Sequence, residues 1–152
     1  MAWLYNTVLS RTWWSWLPYA LAFGTVPAFL TYGFNDQPPQ IWMVAIFAIV
    51  GVSAHIANAL SDIEVDQAAG MQGFVISLGP KKAAILCWVL LIAGTLILAI
   101  VSAESSYWLP IILGGTIVCA GVYSWKSKSQ AAMFSSILIV VIVEVVVMLF
   151  SS

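Results

Sequence analysis

Long apolar stretches separated by short polar breaks organise the whole of this sequence. Five such runs fall at about 13–32, 41–61, 83–102, 108–124 and 132–150. A hydrocarbon core about 30 Å thick is crossed by roughly 20 residues of helix, so each run predicts one transmembrane helix. Pro18 and Pro27 lie inside the first run and predict a kink, with neighbouring helices meeting the freed carbonyls. Pro110 stands near the start of the fourth run, where proline fits the first turn. The expected fold is all-α, a polytopic bundle of about five spans forming a single transmembrane domain over residues 1–152. No internal repeat or low-complexity linker divides it.

Composition agrees with that pattern and names the solvent. Of 152 residues, 62% are hydrophobic and 7% charged, and mean hydropathy is +1.03. That is too little polar surface to coat a water-soluble domain, so the first partner is the lipid bilayer. Five bases against six acids leave a net charge of −1, which argues against nucleic acid as a partner. Cys87 and Cys119 sit within apolar runs, where a thiol behaves as a small hydrophobe. The run after Arg11 is too long for the apolar core of a cleavable leader, so it reads as a retained span.

Charge placement gives orientation. On an alternating path Arg11, Lys81, Lys82, Lys126 and Lys128 fall on one face, and the opposite loops carry only Asp36 and Glu104. By the positive-inside rule the basic face is cytoplasmic and the C-terminus lies outside, in what we expect to be the plasma membrane of a prokaryote. Trp13, Trp14, Trp16, Trp42, Trp108 and Trp125 lie near span ends, either as interfacial anchors or as ordinary lipid-facing packing.

The second run closes in a polar constellation. At about 100° per residue, His55, Asn58, Asp62 and Asp66 share an arc of roughly 80°, and Glu64 points to about the opposite side. Two carboxylates one turn apart repel unless a positive charge lies between them. A hard divalent cation with oxygen ligands supplies it, and Mg²⁺ characteristically bridges one or two carboxylates to phosphate oxygens. The spacing therefore suggests a diphosphate substrate at the membrane surface, although it reads equally as a solvated interfacial turn. His55 reads as a helix-packing residue more readily than as a metal ligand, since no second His or Cys accompanies it at ligand spacing. Lys81 and Lys82 read first as topology anchors and second as phosphate contacts. Glu144 interrupts the last run near mid-span, where an acid must face the bundle interior or a wet cavity, in a functional or a paired structural role.

The stretch from Asn58 through Asp62, Asp66, Gly70 and Gly73 to Leu78-Gly79-Pro80-Lys81-Lys82 resembles the second aspartate-rich motif of the UbiA superfamily of intramembrane prenyltransferases. The likeness lies in carboxylates four residues apart, a glycine four residues after the last, and an apolar stretch closing in Leu-Gly before a basic pair. Leu4-Tyr5-Asn6, Arg11-Thr12 and Ser15-Trp16-Leu17-Pro18-Tyr19-Ala20 likewise resemble that family's central connection and fifth helix.

The resemblance implies that Asp62 and Asp66 bind Mg²⁺ as metal ligands and catalytic residues, with a prenyl diphosphate held by the metal. Ionisation then gives an allylic carbocation that an acceptor captures within the bilayer. Asn58 supports the aspartates, Arg11 and Lys81 are further candidates for diphosphate contact, and the loop at 67–82 covers the site. Family members usually have about nine spans in two halves, each with an aspartate-rich motif, and this chain matches the second half. The resemblance therefore implies that a second polypeptide, or a second copy of the chain, supplies the N-terminal half. The alternative is a non-catalytic membrane subunit or truncated remnant. Ser10 stands where the family often has a lysine beside the arginine corresponding to Arg11. An ion or proton carrier using His55, Asp62 and Glu144 is a third reading, set back by the position of the aspartates at the membrane edge.

Overall fold

The computed structural model describes residues 9–127 and 129–151. Leu4, Tyr5, Asn6 and Lys128, used in the sequence reading, lie outside the described residues. A 3₁₀ turn at Leu9–Arg11 and a second at Trp13–Trp16 lead into α1 (Leu17–Gly24) and α2 (Val26–Asn35). Then follow α3 (Ile41–Ser61), α4 (Ile63–Ala68), α5 (Phe74–Leu78), α6 (Pro80–Ser105), α7 (Trp108–Ser127) and α8 (Gln130–Ser151). Among the described residues there is no strand. Four helices, α3, α6, α7 and α8, are long and apolar enough to cross a membrane, so the protein is an integral membrane protein built as a helical bundle.

The first apolar run takes a different form from the other four. Its expected start at Trp13 is a 3₁₀ turn, and its helical part is split at Thr25 between α1 and α2. Pro18 and Pro27 each occupy the first turn of their own helix. Pro27 in an unbroken helix would lack an N–H and press its ring on the carbonyl four residues back. The ladder nevertheless bridges the break, with Thr25 N–H on the Leu21 carbonyl at 3.0 Å and Phe29 N–H on the Thr25 carbonyl at 3.1 Å. Leu17–Asn35 is therefore one kinked path of roughly 28 Å at 1.5 Å per residue, close to a membrane thickness.

The α1 and α3 helices make the most extensive contact in the bundle, followed by α3 with α6 and α7 with α8. Small residues allow it. A Cβ on Gly51 would stand 2.6 Å from the Tyr19 carbonyl oxygen and 2.8 Å from the Phe23 Cβ, so the two backbones cross where only glycine fits. Gly51→Ala must push α1 away from α3 and is expected to destabilise the protein by about 1–3 kcal/mol. Thermal unfolding in mild detergent checks this, and an unchanged midpoint would refute the close crossing.

Two apolar clusters fill the bundle. One packs Ile56, Leu60, Cys87, Leu91, Ile137 and Val140 beneath Phe74 and Val75, so the short α5 is roofed onto the core. The other gathers Ile46, Val50, Leu98, Leu109, Leu113 and Val147 toward the opposite end. Both cysteines are free, and the buried Cys87 thiol donates to the Ser53 carbonyl at 3.5 Å.

Candidate active site

The site forms where α3 stops. Asp62 breaks the helix with φ −108° and ψ 7°, in the sparsely populated bridge region where active-site residues often sit. Beyond it α4 resumes at once, and the Asp66 N–H donates to the Asp62 carbonyl at 2.9 Å, so one helical turn still separates the carboxylates. The break keeps the expected alignment. His55, Asn58, Asp62 and Asp66 all line one cavity of about 100 Å³, together with Ser15, Tyr19 and residues of the 71–76 segment. Glu64 is exposed and outside that lining, as its position on the opposite helix face requires.

The loop at 67–82 folds back over this cavity. Gly70 and Gly79 carry φ of +71° and +78°, a backbone region that side chains with a Cβ rarely adopt. Between them Met71, Gly73, Phe74, Val75 and Ile76 supply one wall. Gly73 is buried with ordinary extended backbone and needs no special freedom.

A buried hydrogen-bond hub joins the loop to two other elements. The Ser15 Oγ lies 3.1 Å from His55 Nε2 and accepts the Phe74 N–H at 3.3 Å. The His55 ring stacks on Tyr19 with centroids 4.5 Å apart, and the Phe74 ring meets Trp13 edge-on at 4.9 Å. His55 thus spends its Nε2 on Ser15 rather than presenting it to a metal. Ser15 and Tyr19 belong to the stretch that carried the family likeness, yet nothing in their spacing marks them as cavity residues. Ser15 is one polar residue among tryptophans, and its partners lie 40 and 59 residues away.

Arg11 and Lys81 are exposed and do not line the cavity. Arg11 closes the first 3₁₀ turn, just before the segment that contributes Ser15, and Lys81 lies in the first turn of α6, just after the covering loop. Among the described residues, no group of three or more His, Cys, Asp and Glu side chains is placed to hold a metal. Two carboxylates with an Asn amide oxygen suit a hard cation that keeps waters and takes further oxygens from a phosphate. The donor set therefore fits Mg²⁺ shared with a diphosphate and does not fit a closed all-protein cage.

Beside the polar cavity runs an apolar groove of about 380 Å³, lined by Phe23, Ala54, Ala57, Phe134, Leu138 and Val141 among others. Tyr19 and Asn58 belong to both linings, so the groove adjoins the aspartate cavity and runs between α1, α3 and α8. Glu144 lies elsewhere. It is 1% exposed and turns into the bundle interior, where its Oε1 accepts the Thr95 hydroxyl at 2.6 Å. Gly94 lies beside it, where a Cβ would stand 3.7 Å from the same oxygen, an ordinary contact.

No curated protein and no solved structure matches the chain. The model of the UbiA prenyltransferase family does, over residues 1–146. With paired aspartates at a membrane-helix end, an apolar groove beside them and a family match over nearly the whole sequence, the chain belongs to the UbiA prenyltransferase family.

Proposed function

We propose that this chain acts in transferring an isoprenyl group from a prenyl diphosphate to an acceptor, with Asp62 and Asp66 as the metal and diphosphate site. One observation carries the reading: a cavity lined by Asn58, Asp62 and Asp66 adjoins an apolar groove, with Tyr19 and Asn58 lining both. That is the shape of an anionic head joined to a hydrocarbon tail. Bound Mg²⁺ would neutralise the charge that collects on the diphosphate as it leaves. The chain's own part is to hold the head at Asp62 and Asp66, orient it through Asn58, and shelter the allylic cation among apolar helices. The bond from the isoprenyl carbon to the diphosphate oxygen breaks, a bond to the acceptor forms, and the acceptor gives up a proton. Arg11 and Lys81, outside the cavity lining, are proposed in the lesser role of drawing the anion toward the site.

The orientation follows the charge. With Arg11 before α1, Lys81 and Lys82 opening α6 and Lys126 closing α7, the site end would be cytoplasmic. Two cavity carboxylates form half of a metal and diphosphate cradle, and a second polypeptide or a second copy of this chain is proposed to complete it. The test is Mg²⁺-dependent release of pyrophosphate from a radiolabelled prenyl diphosphate, measured on the purified chain and on material from its native membrane. Activity confined to native material with an added polypeptide supports a two-chain enzyme, and activity of the lone chain supports a homo-oligomer. Inactivity in both favours a non-catalytic remnant and overturns the proposal.

A further inference from the structure

Three elements distant in sequence meet at one hydroxyl. We propose that Ser15, seated on His55, latches the Met71–Ile76 segment over the aspartate cavity, which makes Ser15 a positioning residue for the diphosphate site. The proposal rests on the transferase reading for the identity of the bound anion, but the latch itself does not.

The argument begins with α5. At five residues it is far too short to be stable alone, and its leading N–H groups need acceptors from outside the helix. Its N-cap is Gly73, which has no side chain to offer. The Ser15 oxygen takes that place from 59 residues away by accepting the Phe74 N–H. Ser15 is 1% exposed, so water cannot readily replace it, and its removal strands both the Phe74 N–H and His55 Nε2. The stacked Tyr19 and His55 rings fix the seat.

A glycine bounds the segment at either end. Gly70 and Gly79 have positive φ, and a Cβ built on either meets nothing within 4 Å. Between these glycines the wall of the cavity is held by the packing of Phe74 and Val75 into the core and by the bond to Ser15. Packing sets where the segment lies, and the hydrogen bond sets how much of the time it lies there. Losing the bond should leave the fold intact while the wall opens more often.

The test compares wild type, Ser15→Ala, Ser15→Thr and Thr12→Ala, each as the full chain in lipid nanodiscs. Thr12→Ala loosens the same turn, because the Thr12 hydroxyl bonds the Leu9 carbonyl and the Trp14 N–H within it. Amide exchange across 71–78 is expected to quicken about tenfold in Ser15→Ala, with Ser15→Thr restoring protection and Thr12→Ala close to wild type. Binding of inorganic pyrophosphate with Mg²⁺ should weaken about three- to tenfold in Ser15→Ala, in parallel with exchange. If Ser15→Ala does not fold, Ser15→Cys carries the same comparison, since a thiol is a weak acceptor. Unchanged exchange in Ser15→Ala, or an equal gain in Thr12→Ala, overturns the latch. Faster exchange with undiminished pyrophosphate binding overturns the positioning role. Failure of the lone wild-type chain to bind pyrophosphate would bear on whether a second chain must complete the cradle, not on the latch; exchange would then decide the latch, and the binding comparison would be made on the complex from native membrane.

Discussion

Replacing Asp62 and Asp66 together by alanine is expected to abolish Mg²⁺-dependent binding of a prenyl diphosphate and to slow pyrophosphate release by about 10³-fold or more. Both carboxylates line the same cavity, and the backbone bond between the two residues spaces them one turn apart. In the proposed function this pair would supply the chain's own negative charge toward the cation, and removing it leaves only neutral or weakly basic polar residues such as Asn58, Ser15, Tyr19 and His55 in the cavity lining. Asp66→Asn separates charge from shape, because it keeps volume and hydrogen bonding while halving the negative charge. It should lose most of the Mg²⁺ dependence and little stability. Glu64→Ala is the control, since Glu64 is exposed and outside the cavity, and it should stay within about twofold of wild type. Equilibrium binding of labelled substrate with and without Mg²⁺ decides the matter. Undiminished Mg²⁺-dependent binding in the double variant would sink the assignment.

The aspartate pair was legible because its signal is local. Residues four apart share a helix face whether or not the helix continues, and the bridge conformation at Asp62 shifts that face too little to separate them. The α3 helix was legible for the same reason: its apolar run and its hydrogen-bonded length coincide at Ile41–Ser61. For α6 they do not, because the apolar run at 83–102 reports hydrocarbon contact while the helix extends through Lys81, Lys82 and Glu104 at the interfaces. The first run misled in the other direction. Trp13 and Trp14 are apolar by composition but lie in a 3₁₀ turn, with 49% and 56% of their surface exposed, and interfacial tryptophans lengthen an apolar run without joining the span. What the sequence could not disclose is what depends on tertiary distance. Ser15 became a cavity residue through α1 lying on α3, and the helix α5 appeared within a loop expected to cover the site but not to be helical, because its support comes from the core and from Ser15 rather than from its own five residues.

Blocking the groove should separate the hydrocarbon tail from the diphosphate head. Ala54 lines the groove one turn before Asn58 and is absent from the polar cavity. Ala54→Phe therefore places a ring in the path of the tail without touching the aspartates. The tail reaches the groove from lipid, which is as apolar as the groove itself, so affinity there depends on shape and packing more than on escape from water. Crowding a fitted apolar site costs about 1–3 kcal/mol, and binding of a long-chain prenyl diphosphate should weaken about 10- to 100-fold. Inorganic pyrophosphate should bind within about twofold of wild type, and a five-carbon allylic diphosphate should fall between the two. Competition binding with the three ligands on one nanodisc preparation measures all of this at once. Equal losses for pyrophosphate and the long chain would mean that the ring distorts the head site. No loss for either would move the tail elsewhere, and a larger apolar groove lies between α6 and α7, about 790 Å³ and walled by Trp88 and Trp125. That groove shares no residue with the aspartate cavity, so a tail lying there could not be continuous with a head at Asp62 and Asp66. The chain-length dependence of Ala54→Phe therefore tests whether one substrate spans both features on which the proposed function rests.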